Sequence, residues 1–281
     1  VSNGVGQPAN SITVLDAVTV LSGVALFARW LLSTSLGRDA LAHSKPRRNR
    51  MVFFMPFAML VLWFLLQLTA LAVGDAKSWQ GLFQRNLVGC VASLVTVGLT
   101  LIVARLDFAR GIKGLGLRRK TVPRDLGLAF LTLLAVWPLV LAAMGLTIMV
   151  TRMWYGHGYQ IPQHEALKLL SESVAVPLQV LLAIMAVVVA PVVEEMLFRG
   201  LFQTTIRSYL QRPWLAIVLA SLLFASIHED ISHWPSLFVL ALGLGYAYEK
   251  SGSLLRSIFM HAMFNGVNIV LVLTQAPGLI S

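Results

Sequence analysis

Charge is scarce in this chain. Asp, Glu, Lys and Arg make up 12% of its 281 residues, about half the share usual in a soluble domain. Hydrophobic residues make up 57% and the mean hydropathy is +0.78. That balance excludes an ordinary soluble core and points to lipid as the solvent. Cysteine is nearly absent. The single Cys90 excludes an intramolecular disulfide and a thiolate metal cluster, and its apolar surroundings read as helix packing. Acidic residues are outnumbered 12 to 22, which leaves a net charge of +10. In a soluble protein that excess would suggest nucleic acid. Here the basic residues lie between apolar runs, so they speak for membrane topology and anionic headgroups, with no nucleic-acid partner. The segment Val1 to Ile12 has no basic residue before its apolar run and does not read as a secretory signal. There is no internal repeat, low-complexity linker or soluble domain.

What is present is a series of apolar runs near the length of about 20 residues that a bilayer requires. The expected fold is all-α and polytopic, with about eight spans. They lie near Ile12–Leu32, Met51–Val73, Asn86–Leu106, Asp125–Val150, Val174–Arg199 (running on to Tyr209), Pro213–His228, Trp234–Glu249 and Ser253–Thr274. Lys and Arg concentrate in the odd-numbered connections. The first holds Arg38, Lys45, Arg47, Arg48 and Arg50, and the third runs from Arg105 to Arg124. The positive-inside rule places those connections in the cytoplasm and both termini outside it. The expected location is a cell (inner) membrane, with the lipid bilayer as the first partner. The run Gly111-Ile-Lys-Gly-Leu-Gly116 is no phosphate fingerprint, because no strand precedes it. The connection from Arg152 to Glu172 carries Trp154, Tyr155, His157, Tyr159 and His164, which read as an interfacial segment with aromatic anchors.

Charged and polar groups inside a span cost several kcal/mol and default to a functional reading. Three such places stand out. In Pro191-Val-Val-Glu194-Glu195-Met-Leu-Phe-Arg199, Glu195 and Arg199 share a helix face at i,i+4 and can pair. Glu194 points about 100° away and can serve a different task. Phe224-Ala-Ser-Ile-His228 ends one apolar helix. His261-Ala-Met-Phe-Asn265 lies within the last span, with Asn268 continuing its face. Each place has a plainer reading: a solvated helix end, a packing histidine, helix–helix hydrogen bonding. The segment His228-Glu229-Asp-Ile-Ser-His233 imitates a zinc-protease motif, but its histidines are five residues apart, about 140° on a helix, and do not share a face.

Glu194, His228, His261 and Asn265 stand on three helices and can converge. At 1.5 Å per residue, Glu194 and His228 both lie about 20 Å from their basic or aromatic helix ends, whereas His261 lies about 12 Å in. The order Glu-Glu-x-x-x-Arg, Phe-x-x-x-His, His-x-x-x-Asn resembles the CPBP family of intramembrane proteases, which includes the CAAX-prenyl protease type and proteins linked to bacteriocin immunity. The resemblance covers about 174–274.

That resemblance implies a single membrane domain over 1–281, with catalytic helices in 174–274 and N-terminal helices without chemical motifs in 1–173. It implies Glu194 as the catalytic glutamate, His228 as the residue that positions water, His261 and Asn265 as oxyanion stabilisers, and Glu195 with Arg199 as a supporting pair. The expected function is an endopeptidase working through glutamate-activated water on a peptide or membrane-protein segment, with a lipidated one included. The chemistry needs a general base and an oxyanion donor pair and no cofactor. A glutamate with two histidines is also a zinc donor set, which is the alternative. Two non-proteolytic readings compete: an immunity or scaffold protein on the same fold, and a transporter. The latter lacks the inverted repeat of broken helices that it would call for.

Overall fold

A computed structural model describes residues 14–275, apart from 157, 159, 160, 163, 174 and 229. The N-terminal segment, the expected helix start at Ile12, and His157, Tyr159, Val174 and Glu229 therefore lie outside the described residues. The chain is helical, and among the described residues it has no strand beyond one isolated bridge, Asn49 to Phe108. The helices are α1 (Val14–Ser33), α2 (Met55–Leu68), α3 (Trp79–Asp107), α4 (Val122–Tyr155), α5 (Glu165–Glu172), α6 (Val176–Ile184), α7 (Ala190–Glu195), α8 (Thr204–Leu210), α9 (Pro213–Ser226), α10 (Trp234–Ser251) and α11 (Leu254–Gln275). Helices α6, α7 and α8 form one continuous run, joined by π-helical turns at Met185–Val189 and Met196–Gln203.

Local chemistry sets the helix ends. Helices α2, α4, α6, α7, α9 and α10 each carry proline in the first turn, where a missing N–H costs nothing. The Ser78 hydroxyl accepts from Gly81 N at the start of α3, a normal N-cap. Gln211 and Gly252 end α8 and α10 in the left-handed region, the usual way to stop a helix.

Each expected span has a helix or helical run at its place. Among the described residues five helices, Met55–Ala72, Trp79–Asp107, Gly111–Tyr155, Val176–Leu210 and Leu254–Thr274, are long and apolar enough to cross a membrane. The apolar helices Ala17–Ser33 and Pro213–Ser226 are shorter, and α10 is outside both groups. Its residues Leu240, Ala241, Leu244, Gly245, Tyr248 and Glu249 are buried within the protein. In the long helices the apolar surface points the other way. The most apolar window of Gly111–Tyr155 has a mean hydropathy of 2.3, yet 17% of it is buried inside the protein. Phe130, Leu131 and Leu141 are among its exposed side chains. Such a surface requires hydrocarbon around it, and the protein is an integral membrane protein. The connection expected to be interfacial also forms α5, a short helix that sequence reading did not single out.

Helix α10 lies at the centre and packs on α4, α9 and α11, while α4 also receives α1 and α11. The largest core joins Met196, Leu197, Phe198, Leu201 and Phe202 of the π turn to Phe108, Phe224, Tyr248 and Leu254. Close approach to α10 depends on glycine. A Cβ on Gly245 would lie 2.8 Å from Gln203 Oε1 and 3.0 Å from Ile217 Cγ2, and Gln203 donates to Gly245 O at 3.0 Å. Gly245→Val is therefore expected to cost about 1–3 kcal/mol by overpacking. The check is a lowered thermal midpoint in detergent, with Gly245→Ala affected less.

Two buried ion pairs lie beyond the places singled out in the sequence. Asp125 accepts from Ser253 Oγ at 2.6 Å and from Arg256 at 3.1 Å. Arg207 donates to Glu249 at 3.1 Å. Asp125 and Arg256 each sit at the border of an apolar run, where a charge reads as solvated. Only the packing of α4 on α11 shows them as partners.

Candidate active site

The site is built on the broken run α6–α8. Pro191 has no N–H to give, and a proline within a helix would also clash with the carbonyl four residues earlier. The π turn Met185–Val189 ends immediately before α7, which carries Pro191. Ala190 N bonds to Met185 O, five residues back. Continuing that pattern, Pro191 would leave Ala186 O without a donor. Asn265 of α11 supplies one, its Nδ2 lying 2.7 Å from Ala186 O. The wider turns thus place α7 with its two glutamates against α11. Turns of this kind often occur at functional sites.

Glu195 is fully buried and Arg199 is 1% exposed. Arg199 Nη1 donates to Glu195 Oε1 at 2.9 Å and Nη2 to Ala241 O at 3.2 Å. His261 Nδ1 lies 3.0 Å from the same Glu195 oxygen, and its Nε2 lies 3.9 Å from Glu194 Oε2. The first is a hydrogen bond. The second is an ion-pair distance, too long for a direct one. The two carboxylates, expected to serve separate tasks, therefore meet one imidazole from its two nitrogens. A carboxylate accepts, so Nδ1 carries a proton and Nε2 faces Glu194. Glu195 and Arg199 cancel in charge. His261 and Glu194 then form either an imidazolium–carboxylate pair or a neutral pair, and both leave the cluster without net charge, as burial demands. Glu195 Oε2 has no hydrogen-bond partner among the described residues.

Phe224 is the hub between the helices. The Arg199 guanidinium carbon lies 4.7 Å from its ring centroid, and the rings of His228 and His261 lie at 4.9 and 5.8 Å. His228 Nδ1 is 2.8 Å from Phe224 O, and Trp234 Nε1 donates to His228 O at 2.9 Å. The carbonyl accepts, so the neutral His228 ring presents Nε2 as a lone pair. The contacts bring Glu194, Glu195, Arg199 and His261 into one cluster, set His228 beside it across Phe224, and tie Asn265 to the backbone of the first π turn. Asn268 instead donates to Phe264 O of its own helix.

The two histidines of the imitation zinc motif have separate partners. His233 Nε2 lies 2.9 Å from Pro162 O, whereas His228 Nδ1 meets Phe224 O. Between them Asp230 accepts from Ser232 Oγ and Ser232 N, and these bonds hold its carboxyl below the usual range. Among the described residues, no three His, Cys, Asp or Glu side chains come together at metal-binding spacing. Phe224 and Ala241 are the site residues whose contacts the motif residues alone did not identify. The Phe-x-x-x-His spacing was the only signal of the first.

The fold and the cluster define a class: a polytopic helical membrane protein with paired carboxylates, an arginine and a histidine buried in its C-terminal helices. Residues 176–267 match the family model of the type II CAAX prenyl endopeptidase Rce1-like proteins. The match falls on the helices that carry all three motifs and agrees with the CPBP resemblance. A protein of Escherichia coli, described as an uncharacterized 24.3 kDa protein, is 29% identical over 110 residues, which cover 38% of this chain and 51% of that protein. The chain thus spans about half the length of this curated relative. No solved structure matches.

Proposed function

We propose that this chain is an intramembrane endopeptidase that hydrolyses a peptide bond by glutamate-activated water. The observation that carries the proposal is the charge-balanced cluster Glu194–His261–Glu195–Arg199, buried among apolar helices. A membrane protein that needed only packing would gain little from four ionisable groups at this depth.

In the proposed reaction Glu194 and the His228 Nε2 lone pair hold the water. Its oxygen bonds to the scissile carbonyl carbon as Glu194 takes its proton. The resulting oxyanion accepts from His261 Nε2–H, with the ring as imidazolium, and from the second amide hydrogen of Asn265, the first being bound to Ala186 O. Donors held in place before the charge develops are the strongest general source of rate. The C–N bond then breaks, and Glu194 returns its proton to the leaving amine. Glu195 and Arg199 keep the His261 ring in orientation. The substrate is a peptide or membrane-protein segment, with lipidated ones included. The chain is one membrane domain in which residues 174–274 carry the chemistry, with the basic connections in the cytoplasm and both termini outside it. The rate does not depend on a metal ion.

The test is cleavage of an internally quenched peptide by the purified full chain in detergent, with and without a strong chelator. Cleavage is expected to survive the chelator and to fall about 10²-fold or more in His228→Gln. Wild-type rates in His228→Gln would remove the water-positioning role. Loss in chelator, restored by zinc, would replace the metal-free mechanism. A folded wild type that cleaves nothing across a peptide library would favour the scaffold reading.

A further inference from the structure

The two most basic connections of the chain, far apart in sequence, meet in space and form one pocket. It has a volume of about 450 Å³ and is lined by Lys45, Arg47 and Arg48 from the connection after α1 and by Arg110, Lys113 and Arg118 from the one after α3. The end of α10 closes it and adds Lys250. We propose that this pocket binds a phosphate-bearing anion, from a lipid headgroup or from free phosphate. The proposal goes beyond the proteolytic reading and does not depend on it.

Three observations support it. The pocket is built rather than a chance meeting of mobile side chains. Arg50 N donates to Asp107 O and Ala109 N to Arg48 O at 2.8 and 3.0 Å, so backbone pairing clamps the two connections side by side. The Arg47 guanidinium carbon lies over the buried Tyr248 ring, 3.6 Å from its centroid, and Nη2 donates to Tyr248 O.

Second, the charge is uncompensated. The one carboxylate in the lining, Glu249, already pairs with Arg207 at 3.1 Å. None of the seven lysines and arginines in the lining has an ion pair within 4.0 Å among the described residues. Cations of like sign drawn into one pocket repel, and an anion seated between them removes that cost. Third, the chemistry of the lining suits phosphate: four guanidinium groups offer forked donors that match its oxygens, and three ammonium groups add point charge. The pocket lies by the ends of α3 and α10, within the basic connections expected to face anionic headgroups.

The experiment compares charge-matched variants. Arg110→Gln/Arg118→Gln removes two lining cations. Arg119→Gln/Lys120→Gln removes two exposed cations of the same connection that do not line the pocket. The full chain in neutral detergent is titrated with fluorescent short-chain phosphatidylglycerol and with the phosphatidylcholine analogue, then challenged with inorganic phosphate and pyrophosphate. Wild type is expected to prefer the anionic probe, and the lining pair to lose about tenfold in affinity while the other pair changes less than twofold. Displacement by millimolar phosphate identifies free phosphate as the source, and resistance to it identifies a lipid headgroup. Equal loss in both pairs, or equal binding of the two lipids by wild type, would overturn the pocket. Thermal midpoints of all variants guard against unfolding, and Arg110→Lys/Arg118→Lys is expected to keep at least half of the wild-type preference if the fold is intact.

Discussion

Glu194→Gln is expected to reduce peptide cleavage by about 10²–10⁴-fold, the range a positioned general base supplies, and to leave the fold standing. The substitution keeps shape and volume and removes only the capacity to take a proton. Glu194 contacts His261 at 3.9 Å and is less buried than Glu195, with 15% of its side chain exposed against none. With a neutral amide there, His261 can stay neutral with its proton on Nδ1 toward Glu195, so no buried charge is orphaned. The measurement is kcat on the quenched peptide, beside a thermal midpoint in the same detergent. A rate within threefold of wild type with an unchanged midpoint would sink the base assignment. A rate loss accompanied by a collapsed midpoint would assign Glu194 to folding instead.

Arg199→Met is expected to show the opposite profile, with stability failing first. Its removal strands Glu195, which is fully buried, next to His261 alone, and takes away the donor to Ala241 O. Breaking a buried pair from one side costs about 3–5 kcal/mol, because the remaining charge has no compensation. The thermal midpoint in detergent should drop by many degrees, and activity should fall with the folded fraction. The double change Arg199→Met/Glu195→Gln removes both charges and should recover much of the loss in stability while remaining slow, since His261 Nδ1 then faces a neutral amide oxygen in place of the carboxylate that favours the imidazolium. A double variant no more stable than Arg199→Met would mean that packing against Phe224, rather than the ion pair, is the source of stability. These two predictions separate the carboxylate proposed for chemistry from the one that holds the scaffold.

Much of the site was legible because its residues are out of place in lipid. A carboxylate or imidazole inside an apolar run is costly, so Glu194, Glu195, Arg199, His228 and His261 mark themselves in one dimension, and the i,i+4 spacing of Glu195 and Arg199 already implied their 2.9 Å contact. The depth of His261 was harder. Counting straight helical rise put it several ångströms from the level of Glu194. Such counting assumes regular α-geometry throughout, and the run bearing Glu194 contains two π turns. The role of Asn265 at Ala186 O was invisible for the same reason, since a free carbonyl in a helix has no signature in the residues around it. Asp125 and Arg256 escaped notice because each alone looks like an ordinary boundary charge.

The sequence by itself determined the solvent and the secondary structure. Lack of charge and the length of the apolar runs require helices in a bilayer, since no other local arrangement satisfies the backbone there. It also marked which side chains are out of place in lipid, because only function or pairing offsets their desolvation. What the tertiary structure alone decided is who meets whom: one imidazole between two carboxylates, Phe224 shared by an arginine and two histidines, two basic connections closing on a single pocket. Those meetings depend on helix breaks, glycine-permitted approaches and packing among α4, α10 and α11. They join residues tens to hundreds of positions apart, and no local spacing encodes a distance across the bundle.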